Sequence, residues 1–146
     1  MIRTVLNCVL TALILLGMVA CRSEPPEQRL RQTIAAMQEA VEAGRPRDFM
    51  ESVSADFVGN DGLDKPGLHN LLKAQLLLNS KVAIQTGPVS VDLQGDTATV
   101  RFSVLLAGGN RGLLPERGQM QEVTSGWRER DGTWQVYSAS WKPVGE

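Results

Sequence analysis

The order of apolar periodicities predicts an α+β domain, in which about three N-terminal helices pack against one face of a cone-like, curved antiparallel β-sheet. From Leu30 to Leu76 the apolar residues recur at helical spacing, and from Lys81 onward they recur at every second position. The turns Gly95-Asp96 and Asp131-Gly132 divide the second half into hairpins. Helical pattern first and strand pattern after means segregated layers, not alternating βαβ units.

The first helix is expected from about Pro26 to Ala43, where Leu30, Ile34, Met37 and Val41 make one apolar stripe and Gly44 and Pro46 end it. A short second helix is expected from Asp48 to Val53, with Asp48 as N-cap and Phe49, Val53 and Phe57 turned inward. Gly59, Asn60 and Gly62 make a loop. Asp64-Lys65-Pro66 then opens a third helix with a capping carboxylate and an early proline, and Leu68, Leu71, Leu72 and Leu76 form its buried stripe.

Taking Gly95-Asp96 as a two-residue hairpin loop sets Leu93 opposite Ala98, Val91 opposite Val100 and Val89 opposite Phe102, apolar against apolar throughout. Counting outward from Asp131-Gly132 pairs Glu129 with Trp134, Trp127 with Val136, Ser125 with Ser138 and Val123 with Ser140 on one face. The other face pairs Arg128 with Gln135, Gly126 with Tyr137, Thr124 with Ala139 and Glu122 with Trp141. Trp127, Trp134 and Val136 mark the first face as the core side, and Tyr137 lies across the bare backbone of Gly126.

Along that core face the side chains shrink from Trp127 and Trp134 to Ser125, Ser138, Ser140 and Val123. With Phe102 and Val104 opposite, they would line a hollow with a few polar handles, the make-up of a small-molecule pocket. The same small residues would equally admit the first helix, with their hydroxyls bonded to backbone.

Reactive constellations are sparse. His69 is the single histidine, so no histidine pair holds zinc or iron, and the carboxylates are too scattered to form a metal site. On a helix it shares a face with Lys65, Leu72 and Leu76, which suits a half-buried histidine or a catalytic base. No Gly-x-Ser-x-Gly elbow occurs. Asn60-Asp61-Gly62-Leu63-Asp64 lacks the alternate oxygens and distant glutamate that calcium requires. The glycine-rich stretch Ala107 to Gly118 has no Gly-Lys-Ser/Thr ending and lies between strands. It reads as a hairpin tip, or as a lid or partner-binding connection carrying Arg111, Leu113, Leu114, Glu116 and Arg117. No cofactor is expected.

The first residues carry an address. Arg3 is followed by an uncharged stretch from Val5 to Ala20, then Val19-Ala20-Cys21, with charge resuming at Arg22. The apolar run falls short of the roughly 20 residues that span a bilayer. Over these 21 residues the chain resembles bacterial lipoproteins, with Met18 where leucine is usual. The resemblance implies a diacylglycerol thioether on Cys21, cleavage before it and acylation of the freed amine, which would divide the chain into a signal (1–20), a lipidated tether (21–26) and a domain (27–146). Two or more acyl chains make such anchoring stable. Arg22 in place of aspartate implies, by the sorting rule of such proteins, the outer membrane and a domain facing the periplasm. Cys8 would leave with the signal, so no thiol remains for a disulfide or metal. Losing Arg3 leaves 14 basic against 16 acidic residues, a balance that argues against nucleic acid as a partner.

The element order, the hairpin VDLQGDTATVRFSVLL and the ending GWRERDGTWQVYSASW resemble the nuclear transport factor 2-like superfamily over about residues 27 to 142. That superfamily includes ketosteroid isomerases, scytalone dehydratases and polyketide cyclases beside non-enzymatic pocket proteins. In ketosteroid isomerase-like sites a carboxylate moves the proton and a buried tyrosine or carboxylic acid donates to the oxyanion. The only tyrosine here, Tyr137, falls on the face away from the tryptophans, so no catalytic residue carries over. The expected function is that of an envelope lipoprotein with a non-enzymatic pocket or interaction domain. Its expected partners are the membrane through Cys21, a small apolar ligand, and a second copy or another envelope protein. The alternative is an isomerase, dehydratase or cyclase acting on a small apolar molecule.

Overall fold

The computed structural model describes residues 23–78, 82–108 and 119–145. The signal segment, Cys21 and residues 109–118 of the glycine-rich connection lie outside these. Helix α1 (Pro26–Glu42) buries Leu30, Met37, Ala40 and Val41 with Ile34 packed alongside, as the stripe predicts, and Gly44 follows it at φ 68°, a left-handed turn that favours glycine.

Helix α2 (Pro46–Glu51) starts and stops two residues earlier than expected. Pro46 occupies its first position with φ already set for the helix, so Arg45 is the N-cap residue and Asp48 is not. Asp48 instead pairs with Arg45 at 2.8 Å. Val53 therefore opens a strand, β1 (Val53–Val58), in which Val53 and Phe57 still face the core. Residues four apart share a face in both a helix and a strand, which is why this spacing pointed inward correctly while concealing the element.

Helix α3 (Lys65–Leu78) begins as expected, with the Asp64 Oδ1 accepting the Gly67 N–H at 2.8 Å. Its leucine stripe is not buried. Leu68, Leu72 and Leu76 are half-covered and Leu71 is 42 % exposed, because α3 packs on α2 and the edge strand β1 and not on the middle of the sheet.

The sheet is mixed. Its strands β2 (Val82–Thr86), β3 (Ser90–Gln94), β4 (Thr97–Gly108), β5 (Gln119–Arg130) and β6 (Thr133–Pro143) run antiparallel to their neighbours, and β1 adds to β6 in parallel, in the order β1-β6-β5-β4-β2. The long β4 pairs with β3 over its first half and with β2 over its last. Leu93 faces Ala98 and Val91 faces Val100 as predicted, but the β3–β4 ladder begins at Ser90, so Val89 packs against the core without pairing with Phe102.

The β5–β6 hairpin follows the predicted register from Arg130–Thr133 to Trp127–Val136 and then shifts by one residue. Beyond this bulge Gly126 faces Ser138, Ser125 faces Ala139, Thr124 faces Ser140 and Val123 faces Trp141. A one-residue slip moves every later side chain to the opposite face. Ala139 and Trp141 thus join the core side, and Ser138 and Ser140 leave it. Tyr137 does cover Gly126: a Cβ there would lie 2.6 Å from the Ser138 Oγ and 2.8 Å from the Tyr137 ring. Both side chains stand on the outer face, where the Arg128 guanidinium lies 4.9 Å from the centroid of Tyr137.

Between α1 and the inner face lies one apolar cluster including Leu30, Met37, Met50, Val53, Phe57, Val100, Trp127, Trp134 and Val136. Both predicted tryptophans are core residues. Their polar ends are satisfied, Trp134 Nε1 donating to the Pro26 carbonyl at 3.0 Å and Trp127 Nε1 to the Ser125 hydroxyl at 2.8 Å.

Candidate functional site

Of the residues expected to line a hollow, Phe102, Val104, Val123 and Ser125 share the inner face, with Phe102 paired to Val123 and Val100 to Ser125. Ser138 and Ser140 are absent from it because of the bulge, and Ser140 is exposed. Ser125 is buried and its hydroxyl is engaged: it accepts from Trp127 and lies 3.4 Å from the Val100 carbonyl. Inside the sheet the serine thus serves a tryptophan.

The open space lies further along the same face, where the bulge has brought Trp141. A cleft of about 560 Å³ is lined by Asn60, Asp61, Gly62, Leu63, Asp64, Leu71 and Trp141. Its floor follows from the end of β1. After Val58 the backbone can no longer pair with β6, and Asn60 takes over: its side-chain Nδ2 donates to the Trp141 carbonyl at 2.7 Å while its Oδ1 accepts the Trp141 N–H at 3.2 Å. The amide acts as one further rung of the sheet and fixes Trp141. Gly59 makes room for the indole, since a Cβ there would sit 3.2 Å from both the Trp141 and Phe57 rings.

Residues Asn60–Gly62 form a single 3₁₀ turn with Asp61 at φ 56°, a left-handed conformation that aspartate tolerates. Leu63, Leu71 and the indole of Trp141 supply an apolar wall, and Asp61 and Asp64 stand exposed on the polar side. Lys65 does not face them, its Nζ donating to the Val53 carbonyl at 2.6 Å. The cleft therefore offers apolar surface beside acceptor oxygens.

Simple hairpin counting missed Trp141 and placed it on the outer face. The available signal was a large indole left toward solvent opposite Glu122, on a strand whose hairpin partner carries Gly126, a glycine that invites a bulge. On α3 the His69 side chain is half-buried, with Nε2 shielded from water and without a hydrogen-bond partner among the described residues. Among the described residues no three metal-ligating side chains cluster, and no helix is long and apolar enough to cross a membrane.

A second polar group sits on the outer face at the β1 edge. Arg128 forms an ion pair with Asp56 and donates to the Ser54 hydroxyl at 3.1 Å, while Ser54 in turn donates to Asp56 at 2.5 Å. These hydrogen bonds, that from Arg128 foremost, lower the Asp56 pKa from 3.8 to about 2. This is a structural clasp between β1 and β5 across β6.

No protein-family model matches the sequence, and no curated protein matches it. Solved structures do. A candidate scytalone dehydratase from Novosphingobium aromaticivorans superposes with a TM-score of 0.72 at 12% identity, over 81% of this chain and 83% of that one. A candidate dehydratase of the nuclear transport factor 2-like family from Streptomyces avermitilis gives 0.70 at 18% identity, covering 83% of this chain and 97% of the other. A nuclear transport factor 2-like protein with a cystatin-like fold, also from Novosphingobium aromaticivorans, gives 0.68 at 17% identity over 96% and 90%. At these identities the likeness speaks for backbone and not for chemistry. Among the described residues three helices lie on a curved, unclosed six-stranded sheet, and this arrangement, superposing on these structures over most of the chain, gives it the nuclear transport factor 2-like, cystatin-like fold.

Proposed function

We propose that the protein is a membrane-anchored envelope lipoprotein, acylated at Cys21, whose domain is a non-enzymatic binding module using the cleft beside Trp141. The ligand is a small molecule with an apolar body and a hydrogen-bond-donating or positively charged group. The observation carrying this reading is the lining: an indole and two leucines face two exposed aspartates, with no lysine or arginine among the lining residues. Those aspartates are poorly suited to proton transfer, because water solvates them and one already caps a helix.

The test is native mass spectrometry of the chain from Arg22, followed by the same measurement on Leu71→Gln, a change on an exposed helical position. A retained molecule that is lost in the variant supports the reading. A preparation with nothing bound, or with a ligand indifferent to Leu71→Gln, overturns the cleft as its site.

A second reading, an enzyme of the isomerase, dehydratase or cyclase class, draws on the names of the dehydratase-like neighbours and on one feature of this chain. The unpartnered, shielded Nε2 of His69 is what an unoccupied general base would present. Turnover abolished by His69→Gln with the fold intact would favour it.

A further inference from the structure

We propose that the Trp141 cleft points away from the bilayer that holds the protein, so that it takes its ligand from the surrounding water and not from lipid of its own membrane. This rests on acylation at Cys21. The argument begins where the chain enters the domain. Glu24 is already fixed to the first turns of α1, its carboxylate accepting from Gln28 at 3.2 Å and Gln32 at 3.0 Å and its carbonyl from Arg29. Arg29 in turn pairs with Glu129, and the carbonyl of Pro26, two residues after Glu24, is held by the buried indole of Trp134. Glu129 and Trp134 face each other next to the Asp131-Gly132 turn, and the Glu129 N–H donates to the Asp96 carbonyl in the neighbouring turn at 2.7 Å. The entry point is thus locked to the end of the sheet that carries both hairpin turns.

Three peptide steps separate Cys21 from Glu24, and even fully extended they span at most about 11 Å. An acylated Cys21 therefore keeps the two-turn end close to the headgroups. Trp141 lies eight residues beyond Thr133 on β6, which is roughly 26 Å of strand. An upright domain lifts the cleft well clear of the lipid.

Two broad faces of the domain, that of α1 and the outer side of the sheet, are polar and disfavour a recumbent pose on either. Along α1 the exposed side includes Gln32, Glu39 and Glu42, and the outer sheet face presents Arg101, Glu122, Thr124 and Lys142. Neither is an apolar strip that would sink into an interface. Exposed Met120 and Val144, joined by a hydrogen bond from the Val144 N–H to the Met120 carbonyl at 2.9 Å, lie at the opposite end of the β5–β6 ribbon, beyond the reach that the short leash allows an upright domain.

The test uses the full-length protein, matured in a bacterial host, with single cysteines at Thr133 or Leu71 carrying an environment-sensitive fluorophore. It is reconstituted in phosphatidylethanolamine and phosphatidylglycerol vesicles containing a nitroxide-headgroup lipid as a short-range quencher. Intact mass is read first. A chain that lacks acyl mass and does not float with the vesicles defeats the anchoring reading, and this proposal falls with it. For an acylated, vesicle-bound chain, the label at Thr133→Cys should be quenched several-fold more than that at Leu71→Cys. Equal quenching, or stronger quenching at Leu71, would mean that the domain lies down or is inverted, and overturns the orientation while leaving the anchor intact.

Discussion

At the scale of single residues, polar groups that look available in the sequence are largely committed to other groups within the fold. The Ser125 hydroxyl serves the Trp127 indole, and the Asn60 amide serves the Trp141 backbone. Asp56 gives the clearest measurable consequence. Its carboxyl is held near 2 by Arg128 and Ser54 against an ordinary 3.8, so its charged form is favoured by folding. The contribution is fully present above pH 3.8 and is lost as the pH falls through about 2. In an NMR titration Asp56 should titrate near 2, and in Arg128→Met it should return toward 3.8 with a flatter acid limb of stability over that window. An Asp56 that titrates normally in the wild type would show that the clasp does not hold in solution.

Among the elements, the β5–β6 hairpin decides most. Its bulge follows Gly126, over which Tyr137 and Ser138 both close. A side chain at this glycine meets atoms at 2.6 to 2.9 Å, so either the ring must leave or the strand must re-register. Gly126→Val is expected to cost about 1 to 3 kcal/mol, the range for overpacking a close contact. Tyr137→Ala in the same chain should recover part of that loss, because the two positions touch and their effects do not add. Urea unfolding of the two single variants and the double variant measures the coupling. Strict additivity would mean that Tyr137 does not cover the glycine.

For the whole molecule, one indole links entry, helix and sheet. Trp134 is 1% exposed, packs with Leu30 and bonds to Pro26. Trp134→Ala should cost about 3 to 5 kcal/mol, a large share of the roughly 5 to 15 kcal/mol that holds a domain together. Trp134→Phe retains most of the buried area and loses chiefly the bond to Pro26, about 1 kcal/mol. Hydrogen exchange should show the amides of α1 losing protection first in the phenylalanine variant. Uniform loss across sheet and helix would instead make α1 inseparable from the rest of the fold.

The sequence alone determined the class of fold, the α1 stripe, the capped start of α3, both hairpin turns and the tryptophan core, because each depends on periodicity, caps or turn chemistry within a short stretch of chain. It did not determine β1. Val53 and Phe57 are spaced alike for helix and strand, and only pairing with β6, some 80 residues later, chose between them. Nor could it locate the cleft. Register beyond Gly126 depends on one extra residue at the bulge, and that residue exchanges Ser138 and Ser140 for Ala139 and Trp141 on the inner face. Alternation carries no record of where a strand slips. The slip is decided by a ring closing over a glycine, and that contact exists only once the two strands have met.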